Sequence, residues 1–131
     1  GDASLDIYYP GDKYVDLIGV DLYDFEGSAK NYTKNIEREM IRLTEMGKKH
    51  QKLIALTETG SQKLPIKNWF TTVLWPAIKP YPLCYVLFWR NAWDKEKEIY
   101  VPYAGHPEAN DFKTWVADPR VLTVKDIAEV K

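Results

Sequence analysis

Apolar and polar positions along the chain follow two alternating periods. Tyr14-Val15-Asp16-Leu17-Ile18-Gly19-Val20-Asp21 is apolar on both faces at its centre, which suits a parallel strand covered by helices better than a half-exposed hairpin strand. From about Tyr32 to His50 the period lengthens. Ile36, Met40, Leu43 and Gly47 share one face, and Lys34, Arg38, Arg42 and Glu45 fall mostly elsewhere, predicting an amphipathic helix. Lys52–Thr57 is a short apolar strand running into Glu58-Thr59-Gly60. After a loop rich in Ser, Gln and Pro, Asn68–Ile78 reads as a second helix that offers Trp69, Phe70, Val73, Leu74 and Ile78 for burial. Pro76 should break or kink it near its end, because proline cannot donate the helical bond. Leu83–Phe88 is a third strand, ending in Trp89-Arg90-Asn91. A long loop, Ala92–Gly105, leads to a third helix over Pro107–Val116 and a final helical turn within Val124–Val130. Leu5–Pro10 reads as the end of a connecting loop. Three strand–helix units in succession predict an α/β fold with a parallel sheet.

Composition narrows the function. A chain of 131 residues fits one domain. The balance of 18 basic against 19 acidic side chains argues against a nucleic-acid partner, since phosphate binding needs a basic surplus. No apolar run reaches the ~18 residues of a membrane span, and the first residues lack the basic start and apolar core of a signal peptide. One cysteine excludes an internal disulfide framework; Cys84, in an apolar strand, is expected to be a buried thiol. With two His and one Cys a zinc site is not expected, and neither a Gly-rich phosphate loop nor a nucleophile-elbow serine occurs. No metal or other cofactor is anticipated. His106, before Pro107, reads as a local structural group. The surplus is aromatic: nine Tyr, five Trp and four Phe, side chains whose flat faces suit the C–H faces of sugar rings.

The unusual residues gather where each strand ends, the edge at which parallel α/β folds bind ligands. In order they are Tyr8-Tyr9-Pro10-Gly11-Asp12-Lys13-Tyr14-Val15-Asp16, Gly19-Val20-Asp21-Leu22-Tyr23-Asp24, Leu56-Thr57-Glu58-Thr59-Gly60, Trp89-Arg90-Asn91-Ala92, and Tyr103-Ala104-Gly105-His106-Pro107 running to Asp111-Phe112. In this order and spacing they resemble the C-terminal part of a glycoside hydrolase family 26 enzyme, most like an endo-β-1,4-mannanase, from Ile7 to Ile127. The resemblance implies three successive βα units of a (β/α)8 TIM barrel, corresponding to its sixth to eighth strands, so that residues 1–131 form a single, partial catalytic domain. It further implies that Glu58 is the catalytic nucleophile, that Tyr23 orients it, and that Trp89 forms a platform under the sugar at the cleavage point. Arg90, Asp16 and Asp21 correspond to polar positions that bind substrate. The family's general acid/base, a Glu after a His on the fourth strand, has no counterpart here.

A retaining glycosidase needs two carboxyl groups ~5–5.5 Å apart, one attacking the anomeric carbon and one protonating the leaving oxygen. Among the carboxylates Asp21, Asp24, Glu26 and Asp94, spacing singles out none as the acid. The expected partner is therefore mannan or a related β-glycan, with the isolated segment inactive. It should associate with itself or with the rest of the barrel, because an incomplete barrel leaves open sheet edges. Two alternatives stand beside this: the same fold acting on another β-glucan or xylan, and a non-catalytic carbohydrate-binding half-barrel. Trp93, Tyr100 and Tyr103 are candidates to extend the sugar platform. The family's polymeric substrates imply a secreted, periplasmic or cell-surface parent protein.

Overall fold

The computed structural model describes residues 5–94 and 98–128. Strands β1 (Leu17–Asp24), β2 (Leu53–Ser61) and β3 (Leu83–Phe88) form one parallel sheet in the order β1-β2-β3. Helix α1 (Ala29–His50) connects β1 to β2. A π-helical turn (Phe70–Leu74) running directly into α2 (Trp75–Ile78) connects β2 to β3, and α3 (Ala109–Val116) and α4 (Val124–Ala128) follow. A short 3₁₀ turn, Leu5–Tyr8, precedes the sheet. The last two positions of the predicted final helix, 129 and 130, lie outside the described residues.

The expected alternation is present, with shifted strand ends. The third strand has its expected bounds, whereas β1 starts three residues later than expected and runs on to Asp24, and β2 runs on to Ser61 rather than stopping at Thr57. Polar residues at the strand ends hid this extension, because Thr59 and Ser61 are buried with their hydroxyls satisfied. The Tyr32 and Thr59 hydroxyls lie 2.6 Å apart, and the Ser61 hydroxyl donates to Asp24 Oδ2 at 3.0 Å. A buried polar group that keeps its hydrogen bond is tolerated in a core.

The stripe predicted on α1 is the one that packs: Ile36, Met40, Leu43 and Gly47 are buried, joined by Tyr32 and Met46. Ser28 caps the helix by accepting from Asn31 N at 3.4 Å, and Lys48, Lys49 and His50 sit at the negative end of its dipole. Pro76 acts as expected, through a specific device. A proline ring clashes with the carbonyl four residues back. Here the preceding turn widens so that Trp75 N donates to Phe70 O, a five-residue step, and single π turns of this kind relieve a blocked ladder. The N-terminal end of this helical segment is held by carboxylates from the chain around α3. Glu108 accepts from Asn68 N at 2.7 Å; Asp111 accepts from Phe70 N at 2.8 Å and from the Thr71 hydroxyl. Both acids are buried, where unpaired helix N–H groups and the helix dipole favour negative charge.

All of this packing lies on one side of the sheet. Phe70 meets Phe88, Phe112 and Trp115 with ring centroids 4.9–5.9 Å apart, and Ile54 and Leu56 face the same core. The edge strand β3 points Leu83, Val86 and Phe88 inward and leaves Tyr85 and Leu87 more than two-fifths exposed. Cys84 is exposed as well, contrary to the expected buried thiol. With Leu83 inward, alternation turns Cys84 outward, and a one-residue slip in the register with β2 between Leu83 and Val86 leaves Tyr85 facing outward as well. Among the described residues β1 and β3 each have a strand on one side only, leaving two rows of unpaired backbone groups.

Candidate active site

The bond pattern of β2 determines where its acid points. Val20 and Asp21 of β1 pair with Leu56 and Glu58, and Leu56 and Thr59 pair with Val86 and Phe88 of β3. Both neighbours therefore register one extra residue at Thr57–Glu58, a β-bulge, and bulges re-aim side chains at functional edges. In an unbroken strand Glu58 would share the core face of Leu56. With the bulge, Thr57 and Glu58 both lie over the face opposite α1, and Thr59 returns to the core beside Tyr32.

Each of these placements has a partner on β1. The Thr57 hydroxyl donates to Asp21 Oδ1 at 2.7 Å, and the Tyr23 hydroxyl donates to Glu58 Oε2 at 2.8 Å. Thr57 lies so close over Gly19 that a Cβ there would come within 2.2 Å of the threonine methyl. Only glycine leaves that room. Burial, then the hydrogen bond and charge of Glu58, push the Tyr23 phenol well above its ordinary pKa. The phenol stays protonated and can only donate toward the carboxylate. The Tyr23 ring is held in turn: it stacks on Phe25 at 5.1 Å and meets the edge of Tyr100 at 5.4 Å.

Trp89 follows Phe88, whose backbone pairs with Thr59. Because Phe88 points into the core, strand alternation turns Trp89 toward the face of Glu58, and 41% of it is exposed. Arg90 is exposed beside it, with no ion pair among the described residues. Asp21 is exposed at the same rim, cross-strand from Glu58. The structure thus brings together Glu58, Tyr23 and Asp21, with Trp89 and Arg90 following the end of β3 at the same rim.

It separates Asp16 from them. Asp16 precedes the first residue of β1 and lines a surface hollow with Thr44, Lys52, Leu53 and Pro82, all near the opposite end of the sheet. The spacing of a motif along the chain does not reveal on which rim each residue falls. Tyr100 also departs from expectation. It is 5% exposed and wedged against Gly60 and Tyr23, so it offers no open platform, whereas Trp93 (93% exposed) and Tyr103 remain open. His106 has the local role expected of it, its Nδ1 accepting from Glu108 N at 3.1 Å.

Sequence reasoning missed how Asn91 is used. Its side-chain oxygen accepts from Tyr100 N at 2.8 Å and Val101 N at 3.0 Å, and its amide donates to Val101 O at 2.6 Å. The side chain is committed to fastening the loop. An Asn three residues past a strand end was the available signal, since such side chains often bind nearby backbone.

A parallel α/β sheet that holds a tyrosine-bonded carboxylate at the C-terminal rim of its strands has the arrangement of a (β/α)-barrel enzyme. Comparison with known proteins makes the class specific. Residues 2–98 match the model of Glycosyl hydrolase family 26, and the chain belongs to that family. The GH26 β-mannanase BoMan26A of Bacteroides ovatus is 46% identical with a TM-score of 0.86, over 90% of this chain and 34% of its own. A modular endo-β-1,4-mannanase of Cellulomonas fimi is 30% identical with a TM-score of 0.74, over 93% of this chain and 29% of its own. A mannan endo-1,4-β-mannosidase of Bifidobacterium adolescentis is 34% identical over 55 residues, 40% of this chain and 6% of that protein. The chain spans about a third of the length of the solved relatives it matches.

Proposed function

We propose that this chain supplies the nucleophile half of the active site of a retaining endo-β-1,4-mannanase, its strands being the sixth to eighth of the barrel. The observation that carries the reading is the hydrogen bond from Tyr23 to Glu58, 2.8 Å long, on a carboxylate that a β-bulge turns to the ligand-binding rim. In the proposed reaction Glu58 attacks the anomeric carbon and forms a glycosyl ester, and a second carboxyl group protonates the departing oxygen. Water, deprotonated by that second group, then attacks the anomeric carbon and releases the Glu58 carboxylate, so that two inversions retain the configuration. Trp89 stacks beneath the sugar ring, and Arg90 and Asp21 hydrogen-bond its hydroxyls.

The second carboxyl group comes from elsewhere in the barrel. A general acid needs a buried site that keeps it protonated. Asp21 is exposed and takes the Thr57 hydroxyl, Asp24 lies on the core side bonded to Ser28 N and Ser61, Glu26 is exposed and accepts from Asn31, and Asp94 is exposed. The chain by itself is accordingly inactive, and its open edges pair with the remaining strands or with another copy. A polymeric substrate places the parent protein outside the cytoplasm.

The test is made in a complete barrel that carries this segment. Glu58→Gln should reduce mannan hydrolysis by several orders of magnitude. Tyr23→Phe should reduce kcat about 10–100-fold, the range for losing a hydrogen bond to a charged group. Near-parental turnover in Glu58→Gln rejects the reading.

A further inference from the structure

Behind the Tyr23–Glu58 pair lies a second layer formed by the loop after β3. Tyr100 is buried, and its ring atoms stand 2.7–3.2 Å from where a Cβ on Gly60 would be. That ring therefore rests directly on the β2 backbone two residues beyond Glu58, and any side chain at position 60 would lift it. Its other neighbour is Tyr23, met edge to face at 5.4 Å. Three contacts fix the height of Tyr100: Asn91 Oδ1 accepts from its backbone N–H at 2.8 Å, the Asn91 amide closes on Val101 O at 2.6 Å, and Lys63 N donates to Ile99 O at 2.8 Å. The Tyr23 ring also stacks on Phe25, but Phe25 is 61% exposed, whereas Tyr100 is buried and fastened through its backbone.

We propose that Tyr100, seated on Gly60 and fastened by Asn91, is a positioning residue that holds the Tyr23 hydroxyl in line with Glu58. It touches neither substrate nor the reacting atoms and acts through Tyr23. The proposal rests on the reading of Glu58 as nucleophile only for its effect on turnover. The mechanical coupling of Tyr100 to the Tyr23–Glu58 bond stands apart from that reading and is measured separately.

The coupling is read on this chain with tyrosine labelled at the ζ-carbon, whose NMR line reports the hydrogen bonding of the phenol. Glu58→Ala gives the position of the Tyr23 line without its acceptor. Tyr100→Leu, which fills the space without a ring edge, should move that line at least halfway toward the Glu58→Ala position, and Tyr100→Phe should leave it in place. Gly60→Ala, which displaces Tyr100 while keeping it, should move the line in the same direction as Tyr100→Leu and serves if the leucine variant does not fold. An unmoved line in the folded variants overturns the proposal. In a complete barrel, Tyr100→Leu should lower kcat about tenfold with KM within about twofold. In the Tyr23→Phe background it should lower kcat no further, because residues acting as a unit are not additive. Equal losses in the two backgrounds overturn the proposal. Retained turnover in Glu58→Ala instead rejects the nucleophile reading, and the ζ-carbon line still decides the coupling.

Discussion

Gly19→Ala tests the bulge that aims Glu58. The new methyl would lie 2.2 Å from Thr57 Cγ2 and 2.8 Å from its Oγ1, where non-bonded carbons prefer about 3.5–4.0 Å. Turning the threonine about χ1 exchanges one clash for the other, and Thr57 Cβ itself stands at 3.1 Å, so the two strand backbones must part. Overpacking of this kind costs about 1–3 kcal/mol. Thr57 would also lose its hydrogen bond to Asp21, worth about 1 kcal/mol. A total of about 2–4 kcal/mol corresponds to roughly 6–15 °C in Tm for a chain of this size. The assay is urea and thermal unfolding of the chain followed by circular dichroism. Thr57→Ala removes both clashing atoms, so the Gly19→Ala/Thr57→Ala double variant should recover at least half of the loss. A Gly19→Ala variant within about 0.5 kcal/mol of the parent, or a double variant no more stable than Gly19→Ala, would show that the bulge does not depend on this contact.

Other consequences are equally direct. Thr59→Val leaves the buried Tyr32 hydroxyl without a partner and should cost about 1–3 kcal/mol, with Tyr32→Phe/Thr59→Val returning to within about 1 kcal/mol of the parent; additive losses in denaturant unfolding would contradict the pairing. Asp118 is held well below the usual carboxylate range, chiefly by hydrogen bonds from Arg120. A carboxylate depressed on folding stabilises above its unfolded pKa of about 3.9 and loses that contribution as pH falls toward the folded value. The urea midpoint should therefore drop below about pH 4, and less steeply in Asp118→Asn; parallel profiles would refute this. The edges of β1 and β3, unpaired among the described residues, should make the apparent mass rise with concentration in size-exclusion chromatography with light scattering, where a single concentration-independent monomer is the contrary result.

How much of this the sequence revealed depends on which force sets each feature. The stripe of Ile36, Met40, Leu43 and Gly47 is a local pattern that burial obeys, and the apolar run Leu83–Phe88 forms a strand with the expected bounds, although one of its faces is exposed. Pro76 announced a disturbed helix because its missing N–H is a covalent fact, although the π turn that absorbs it needed coordinates. The end of β2 was hidden because Thr59 and Ser61 look like loop residues until α1 and β1 supply their partners. Glu58, Tyr23 and Trp89 emerged from the family resemblance and gather at one rim. Asp16 fails to join them, since its position relative to the start of β1 depends on where pairing begins. Cys84 and Tyr100 changed places with expectation. The thiol lies on the exposed face of edge strand β3, and the tyrosine is buried in a loop that Asn91 fastens.

The central claim, that Glu58 is the nucleophile of a retaining mannanase, is tested most directly by trapping the glycosyl ester. A complete barrel containing this segment would be incubated with an activated 2-deoxy-2-fluoro-mannoside, digested and analysed by mass spectrometry. The added sugar mass should fall on the peptide carrying Glu58 and vanish in Glu58→Gln. A sugar attached to Asp21 or another carboxylate, or hydrolysis with inverted anomeric configuration, would contradict it.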